Sequence, residues 1–278
     1  MGPIMTGYGQ GFAGFRFSVA GVTLGRDRGS VRPILVRPFH PKKPMFASVL
    51  RAIARRVLKP DWQILAAQLR VEYERARVTQ SSIPLIAQQL LVSGEDHRHG
   101  NHHGYDLIAI TRAVWRRISR RTHEGASTIE QQIIRVLTGR YERTMARKVR
   151  EILLATLVTT VVPKHSLPAI YLRVGYYGWR MNGWVAACSR LHLSPTALGL
   201  QAAALLVARL KYPQPRNSPQ HRARQIECRA HHLMTLRAKH LHDGTYAYLT
   251  KPAVASAVLS RAPYERPLGV IPESAPTL

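Results

Sequence analysis

Between Ala197 and Leu210 the chain is apolar nearly all round, with no polar stripe to turn toward water. A helix of that kind cannot lie on a surface and has to be surrounded by other elements. Ser194-Pro195 opens it and Tyr212-Pro213-Gln214-Pro215 stops it. The fold must therefore supply several partners that pack around one central helix.

Those partners read as helices too. Apolar residues recur at helical spacing over Phe46 to Leu58 and over Trp62 to Arg77. Ser81-Ser82-Ile83-Pro84 looks like a helix start, and Leu85, Ile86, Leu90 and Leu91 carry that helix to Glu95. Leu107, Ile110, Val114 and Ile118 mark one face of the next, around which Arg112, Arg116, Arg117, Arg120 and Arg121 crowd. Ser127-Thr128-Ile129-Glu130 has the form of a capping box, Ser at the cap and Glu three on. Ile129, Ile133 and Val136 follow, and Gly139 ends the helix. Glu142 to Val162 predicts one long helix with Met145, Val149, Ile152, Leu153 and Leu157 inward. Leu167 to Tyr177 and Arg222 to His240 complete the set, with Gly175, Gly178 and Gly183 loosening the segment after the former. Strand-like alternation is scarce and no internal repeat is present, so the expected fold is mostly α. The expected organisation is a flexible basic arm over 1–44, a helical domain over 45–245 and an irregular tail over 246–278.

The hydrophobic content of 45% suffices for a substantial core. Lys plus Arg number 41 against 15 acids, a net charge of +26. Such a surface calls for an anionic partner: nucleic acid, acidic lipid head groups or a phosphorylated substrate. Nucleic acid rests on charge alone, since no recognition motif accompanies it. Cys188 and Cys228 form neither a disulfide framework nor a metal motif and read as ordinary packed thiols. No run reaches the roughly 18 uninterrupted apolar residues of a membrane span. Ile152 to Pro163 is too short, and Gly11 to Leu24, with Arg16 and several glycines, is a poor signal peptide. Phe46 to Leu58 and Leu107 to Arg121 combine apolar with basic residues and are candidates to lie on an anionic membrane. A core helix with a solvated basic face is the alternative for the first.

Glu95 to Asp106 reads Glu-Asp-His-Arg-His-Gly-Asn-His-His-Gly-Tyr-Asp. Paired acids beside imidazoles suit proton transfer or metal binding. The spacing of His97, His99, His102 and His103 matches no closed zinc pattern.

Five motifs in order resemble the glycosyltransferase family 51 domain, the peptidoglycan transglycosylase module of class A penicillin-binding proteins and monofunctional transglycosylases. The resemblance runs from about Ile83 to Met234. In the first motif Glu95, Asp96, His102, Gly104 and Asp106 fit, and His99 stands where the family prefers Phe. The second, Gly-x-Ser-Thr-Ile-x-Gln-Gln, is whole as Gly125 to Gln132. The third, Arg-Lys-x-x-Glu, appears as Arg147, Lys148 and Glu151 after Arg143-Thr144. Lys164, Leu167, Tyr171, Leu172, Gly178 and Gly183 match the fourth, and Ala202 to Pro213 the fifth. Ala169 and Arg173 replace a usual Glu and Asn, Gln201 a usual Glu, and Arg135 a usual Lys.

The resemblance implies a two-lobed, lysozyme-like helical domain with a membrane-facing smaller lobe. It implies polymerisation of lipid II, a disaccharide-pentapeptide on a polyprenyl pyrophosphate, into glycan strands with loss of the pyrophosphate lipid, at the outer face of the cytoplasmic membrane. Glu95 matches the family's catalytic base and Glu151 its second essential glutamate, in the donor site and near a divalent metal, Mg or Mn. Arg135, Arg143, Arg147 and Lys148 are then pyrophosphate ligands. Ser127, Thr128, Gln131 and Gln132 sit at or near a helix start that favours anions; Asp96 and His102 complete the expected substrate site, Asp96 in a supporting role. Lipid II, the nascent glycan strand, an anionic membrane surface and other cell-wall synthesis proteins are the implied partners. The alternative is a degenerate member that binds lipid II or scaffolds cell-wall enzymes without turnover, which the replacements at Arg173 and Gln201 favour and intact Glu95 and Glu151 oppose.

Overall fold

The computed structural model describes residues 45–78, 83–120 and 127–250, without the side chains at 45, 46, 113, 114, 116–118 and 120. The expected arm over 1–44, the tail beyond 250, the Ser81-Ser82 start, Gly125 and the inward faces of Val114 and Ile118 lie outside the described residues.

Ten α-helices and one short hairpin make up the described chain: α1 (Met45–Val57), α2 (Lys59–Val78), α3 (Leu85–Glu95), α4 (Leu107–Arg120), α5 (Ile129–Thr138), α6 (Met145–Val158), α7 (Leu167–Val174), β1 (Tyr176–Gly178), β2 (Met181–Asn182), α8 (Trp184–Arg190), α9 (Leu200–Lys211) and α10 (Gln220–His242). The mostly α expectation holds. The apolar α9 is the hub, packed against α3, α10 and β1, with Ala203, Ala204, Leu206, Val207 and Ala208 buried. Its three buried alanines let the neighbouring backbones approach. On the other side α5 packs against α6 and α7, and α1 lies on α6. Leu90, Leu91, Ile129, Ile133, Leu154 and Leu167 fill the space between these layers. Each such side chain contributes about 1.5–3 kcal/mol by leaving water.

α4 stands apart and packs extensively against no other helix. Asp106 starts it, accepting from the N–H groups of Ile108 at 2.9 Å and Ala109 at 3.2 Å. Its Leu107, Ile108 and Trp115 are exposed, Trp115 by 70%.

Several boundaries depart from the sequence expectation. α9 begins at Leu200 rather than near Ala197, because Ser194 to Gly199 runs as an irregular link and Gly199 is extended. The helix expected over Leu167 to Tyr177 ends at Val174. Tyr176 to Gly178 instead pairs antiparallel with Met181-Asn182, and Gly178 bridges Gln214 after α9. The Tyr177 hydroxyl donates to the Leu172 carbonyl at 2.7 Å and the Trp184 indole to that of Pro195 at 3.1 Å, so the hairpin and α8 are tied into the core. Neither element was anticipated, since runs this short carry no period. α6 is shorter than Glu142 to Val162, and its inward face is Glu151, Leu154, Ala155, Leu157 and Val158, while Met145 and Val149 are exposed. The packed structure also passes residue 245. Tyr246 is buried with its hydroxyl on that of Ser93, and the Tyr248 hydroxyl hydrogen-bonds His99 Nδ1 at 2.7 Å.

Candidate active site

Glu95 is the last residue of α3, and the chain turns sharply at Asp96. Its carboxylate accepts from the Gln132 amide at 3.0 Å and from Arg229 Nη2, also at 3.0 Å, and its side chain keeps 21% of its surface exposed. Arg229 donates as well to the Gly94 carbonyl at 2.7 Å. Gly94 permits this approach: a Cβ there would lie 2.2 Å from Leu233 and 2.9 Å from the Arg229 guanidinium. Beside the carboxylate opens a cavity of about 300 Å³ lined by Gly94, Glu95, Ser127, Gln132, Arg135, Lys211 and Arg229. One acid thus faces three cations and two neutral hydrogen-bonding side chains.

Arg135 links this cavity to Glu151. Its guanidinium holds the Glu151 carboxylate through two parallel bonds of 3.0 and 3.1 Å. Arg147, one turn earlier on α6, reaches the same carboxylate, and Lys148 stands 4.0 Å from it. Lys148 donates to Ser127 Oγ at 2.9 Å and to the Gln131 amide oxygen. Burial, partly offset by Glu151, pushes the Lys148 ammonium down to about 8. The intrahelical Arg147–Glu151 pair therefore exists, within a cluster of three cations on one buried acid.

Behind Glu95 lies a second, buried network. Asp96 accepts from the Ile129 N–H at 3.2 Å and from His102 Nε2 at 2.9 Å. His102 Nδ1 in turn accepts from the Gly104 N–H at 3.2 Å. Gly104 has φ 91° and lies against α6, where a Cβ would meet the Ala155 carbonyl at 2.1 Å, so no other residue fits. Its own carbonyl accepts from the Thr128 hydroxyl at 2.8 Å and the Gln131 amide at 3.4 Å. Glu130 is 0% exposed and pairs with Lys164 at 2.8 Å and His99 at 3.4 Å. Burial alone would raise the Glu130 carboxyl, but Lys164 and then His99 overrule it and hold it well below the usual carboxylate range.

Two expectations change here. The capping box is not formed: Thr128, not Ser127, caps α5, accepting from the Gln131 N–H at 3.4 Å. Glu130 turns to Lys164 because a charged donor outweighs a neutral backbone N–H. Of the residues expected to bind substrate, Ser127, Gln132 and Arg135 line the Glu95 cavity, and Arg147 and Lys148 join it through Glu151. Asp96, His102, Thr128 and Gln131 are buried and hydrogen-bonded to protein partners, and Asp96 and Thr128 also line a small pocket beside Glu95. Arg143 sits in the exposed link before α6 and pairs with no carboxylate among the described residues. Lys211 and Arg229 were not anticipated. No local pattern marks them, and only the packing of α10 on α3 and α9 brings Arg229 to Glu95.

The donor sets fit a protein-held divalent metal poorly. Both Glu151 oxygens accept from guanidinium groups, and its other charged neighbours are cations. Asp96, His102 and Glu130 come close enough to share an ion, but the Lys164 ammonium already sits on Glu130 and on the His102 carbonyl.

A family model described as Transglycosylase matches residues 63–237, more than half of the chain. Penicillin-binding protein 1A of Rickettsia felis is 30% identical over 189 residues, 66% of this chain and 23% of that protein. The monofunctional glycosyltransferase of Staphylococcus aureus is 34% identical over 109 residues, 39% of this chain and 40% of that protein. The matched part of the chain thus spans less than half the length of either relative. With the five motifs in order on a helical fold, this chain belongs to the transglycosylase family.

Proposed function

We propose that this chain is a peptidoglycan glycosyltransferase that joins lipid II units into glycan strands and expels the polyprenyl pyrophosphate. The observation that carries this is Arg135, which lines the Glu95 cavity and at the same time grips Glu151 within the Arg147–Lys148 cluster. A candidate base and a concentrated cationic site are thereby joined through one side chain. The reaction needs both. Glu95 takes the proton from the attacking sugar hydroxyl, oriented by Gln132 and Arg229. Arg135, Arg147 and Lys148 stabilise the charge that grows on the departing pyrophosphate, the arginines with a planar fork and the lysine as a compact charge. Arg143 and Arg140 stand in the adjoining link. A divalent cation, Mg or Mn, would add positive charge against the pyrophosphate without calling on the Glu151 oxygens, which Arg135 and Arg147 occupy.

The three other replacements lie away from the cavity. Ala169 is buried in the core, Arg173 pairs with Glu72 at 2.9 Å, and Gln201 is exposed. Their placement supports turnover over binding alone.

No helix among the described residues is long and apolar enough to cross a membrane. The proposed attachment is peripheral, at the outer face of the cytoplasmic membrane, through exposed apolar residues set among basic ones. Val49, Ile53 and Val57 form such a stripe on α1 with Arg56 beside it, while Ala47 and Ala54 are buried. Leu107, Ile108 and Trp115 do the same on α4. Binding to anionic vesicles should fall as salt rises, because exposed charges are screened; equal binding to neutral and anionic vesicles at low salt would remove the electrostatic part.

The test of the whole proposal is incubation of the purified protein with labelled lipid II on anionic vesicles, with products resolved by size before and after muramidase digestion. Muramidase-sensitive polymers are expected. Their absence across Mg, Mn and vesicle compositions would overturn the proposal.

A further inference from the structure

Next to the Glu95 cavity, and sharing Lys211 and Arg229 with it, lies a larger open cavity of about 520 Å³. Its floor is one side of α10. Arg224, Cys228 and His232 recur at intervals of four on that helix, and Gln225 and Arg229 repeat the interval alongside them. Lys211 and Tyr212, at the end of α9, form the wall, with the Lys211 ammonium 5.8 Å from the Tyr212 ring centre.

No acid lines this cavity, and neither Lys211 nor Arg224 pairs with a carboxylate among the described residues. Unpaired cations are common on a chain of net charge +26, so charge alone would carry little. Three further facts set this group apart. The cations converge on a concave surface, they stand beside an aromatic ring and an amide, and they continue a cavity that holds the candidate base. His232 registers the local field: burial first, and then Arg229 and Lys211, push its imidazole below its ordinary value.

We propose that this cavity is an oxyanion subsite that receives the C-terminal carboxylate of the substrate's peptide, an assignment that rests on the proposed lipid II reaction. The pyrophosphate has its own site in the dense Arg135–Arg147–Lys148 cluster. Here single, spaced cations flanked by Tyr212 and Gln225 suit an extended peptide ending in one carboxylate. Five extended residues reach about 17 Å, and the two cavities adjoin at Lys211 and Arg229. A peptide held there would add to the binding of the substrate beside Glu95 in ground and transition state alike.

The experiment uses the full chain and two substrates, lipid II with a free C-terminal carboxylate and the same molecule C-terminally amidated. Arg224→Ala should raise KM for the free carboxylate about tenfold, the loss of one charge-assisted bond, with kcat unchanged. The amidated substrate should not respond. Equal changes on both substrates, or no change on either, would overturn the subsite. A second measurement is independent of turnover. Cys228 is exposed and Cys188 is buried, so iodoacetamide should modify Cys228 selectively. The free pentapeptide should slow that modification, and its amide should not. Stronger protection by inorganic pyrophosphate than by the peptide would reassign the site to phosphate and overturn the proposal. Protection by the peptide in a protein that makes no polymer would keep the subsite and sink the polymerase function; polymer without protection would do the reverse.

Discussion

Glu95 ends α3 with its carboxylate on a cavity of about 300 Å³ and two side-chain donors to hold it, whereas Asp96, one residue later, faces inward and is enclosed by the Ile129 N–H and His102. The residues after them divide in the same way. Gln132 and Arg135 on α5 point to the cavity, while Glu130 and Gln131 on the same helix point to the buried side, to Lys164 and to the Gly104 carbonyl. One pair of elements therefore carries both a face on the cavity and a buried backing. Adjacent carboxylates acquire different surroundings from their partners: Glu95 stays open to the cavity, and Asp96 is held by the protein around it.

The largest test of that division is Glu95→Gln. The amide keeps size and hydrogen bonding but cannot take the proton. Turnover should fall by about 10²–10⁴-fold with lipid II affinity and thermal stability nearly intact. Full activity in this variant would end the division at its most important point.

The backing should respond in the opposite sense. Lys164→Ala leaves Glu130 buried with only His99 beside it, and should cost about 3–5 kcal/mol in urea unfolding. Lys164→Met combined with Glu130→Leu should recover much of that loss, since no stranded charge remains. An unchanged unfolding midpoint in Lys164→Ala would show that the network does not hold the domain.

Arg135 joins the Glu95 cavity to the Glu151 cluster rather than to the buried backing, so Arg135→Lys tests that link. The charge stays, but the fork on Glu151 is lost. A drop in kcat/KM of about tenfold or less, with unfolding little altered, is expected from paired rate and denaturation measurements. A loss as large as that of Glu95→Gln would make Arg135 a member of the reacting centre rather than its link.

The smallest effect concerns pH. The Lys148 ammonium sits near 8, below its ordinary value, so raising the pH through about 8 removes its charge. Substrate KM should rise over that interval and level off above it, and Lys148→Arg should abolish the step. A flat KM between pH 7 and 9 would show that Lys148 does not bear on the anion.

The order of the motifs, the helical character of the domain and the central place of the apolar helix around Ala203 were legible in the sequence, because helical period and motif spacing are local properties. So were Gly104 and Gly139, whose positive φ a family pattern or a helix stop can mark. The hairpin at Tyr176 was not, because its pairing partners include Gln214, far along the chain. Nor could spacing tell that Glu130 leaves its cap for Lys164, that Met145 and Val149 face outward, or that Arg229 reaches Glu95 across 134 residues. Residue type and period fix what a segment can become. Which carboxylate stays open and which is sealed depends on non-local neighbours, and those exist only once α10, α9 and α3 have packed together.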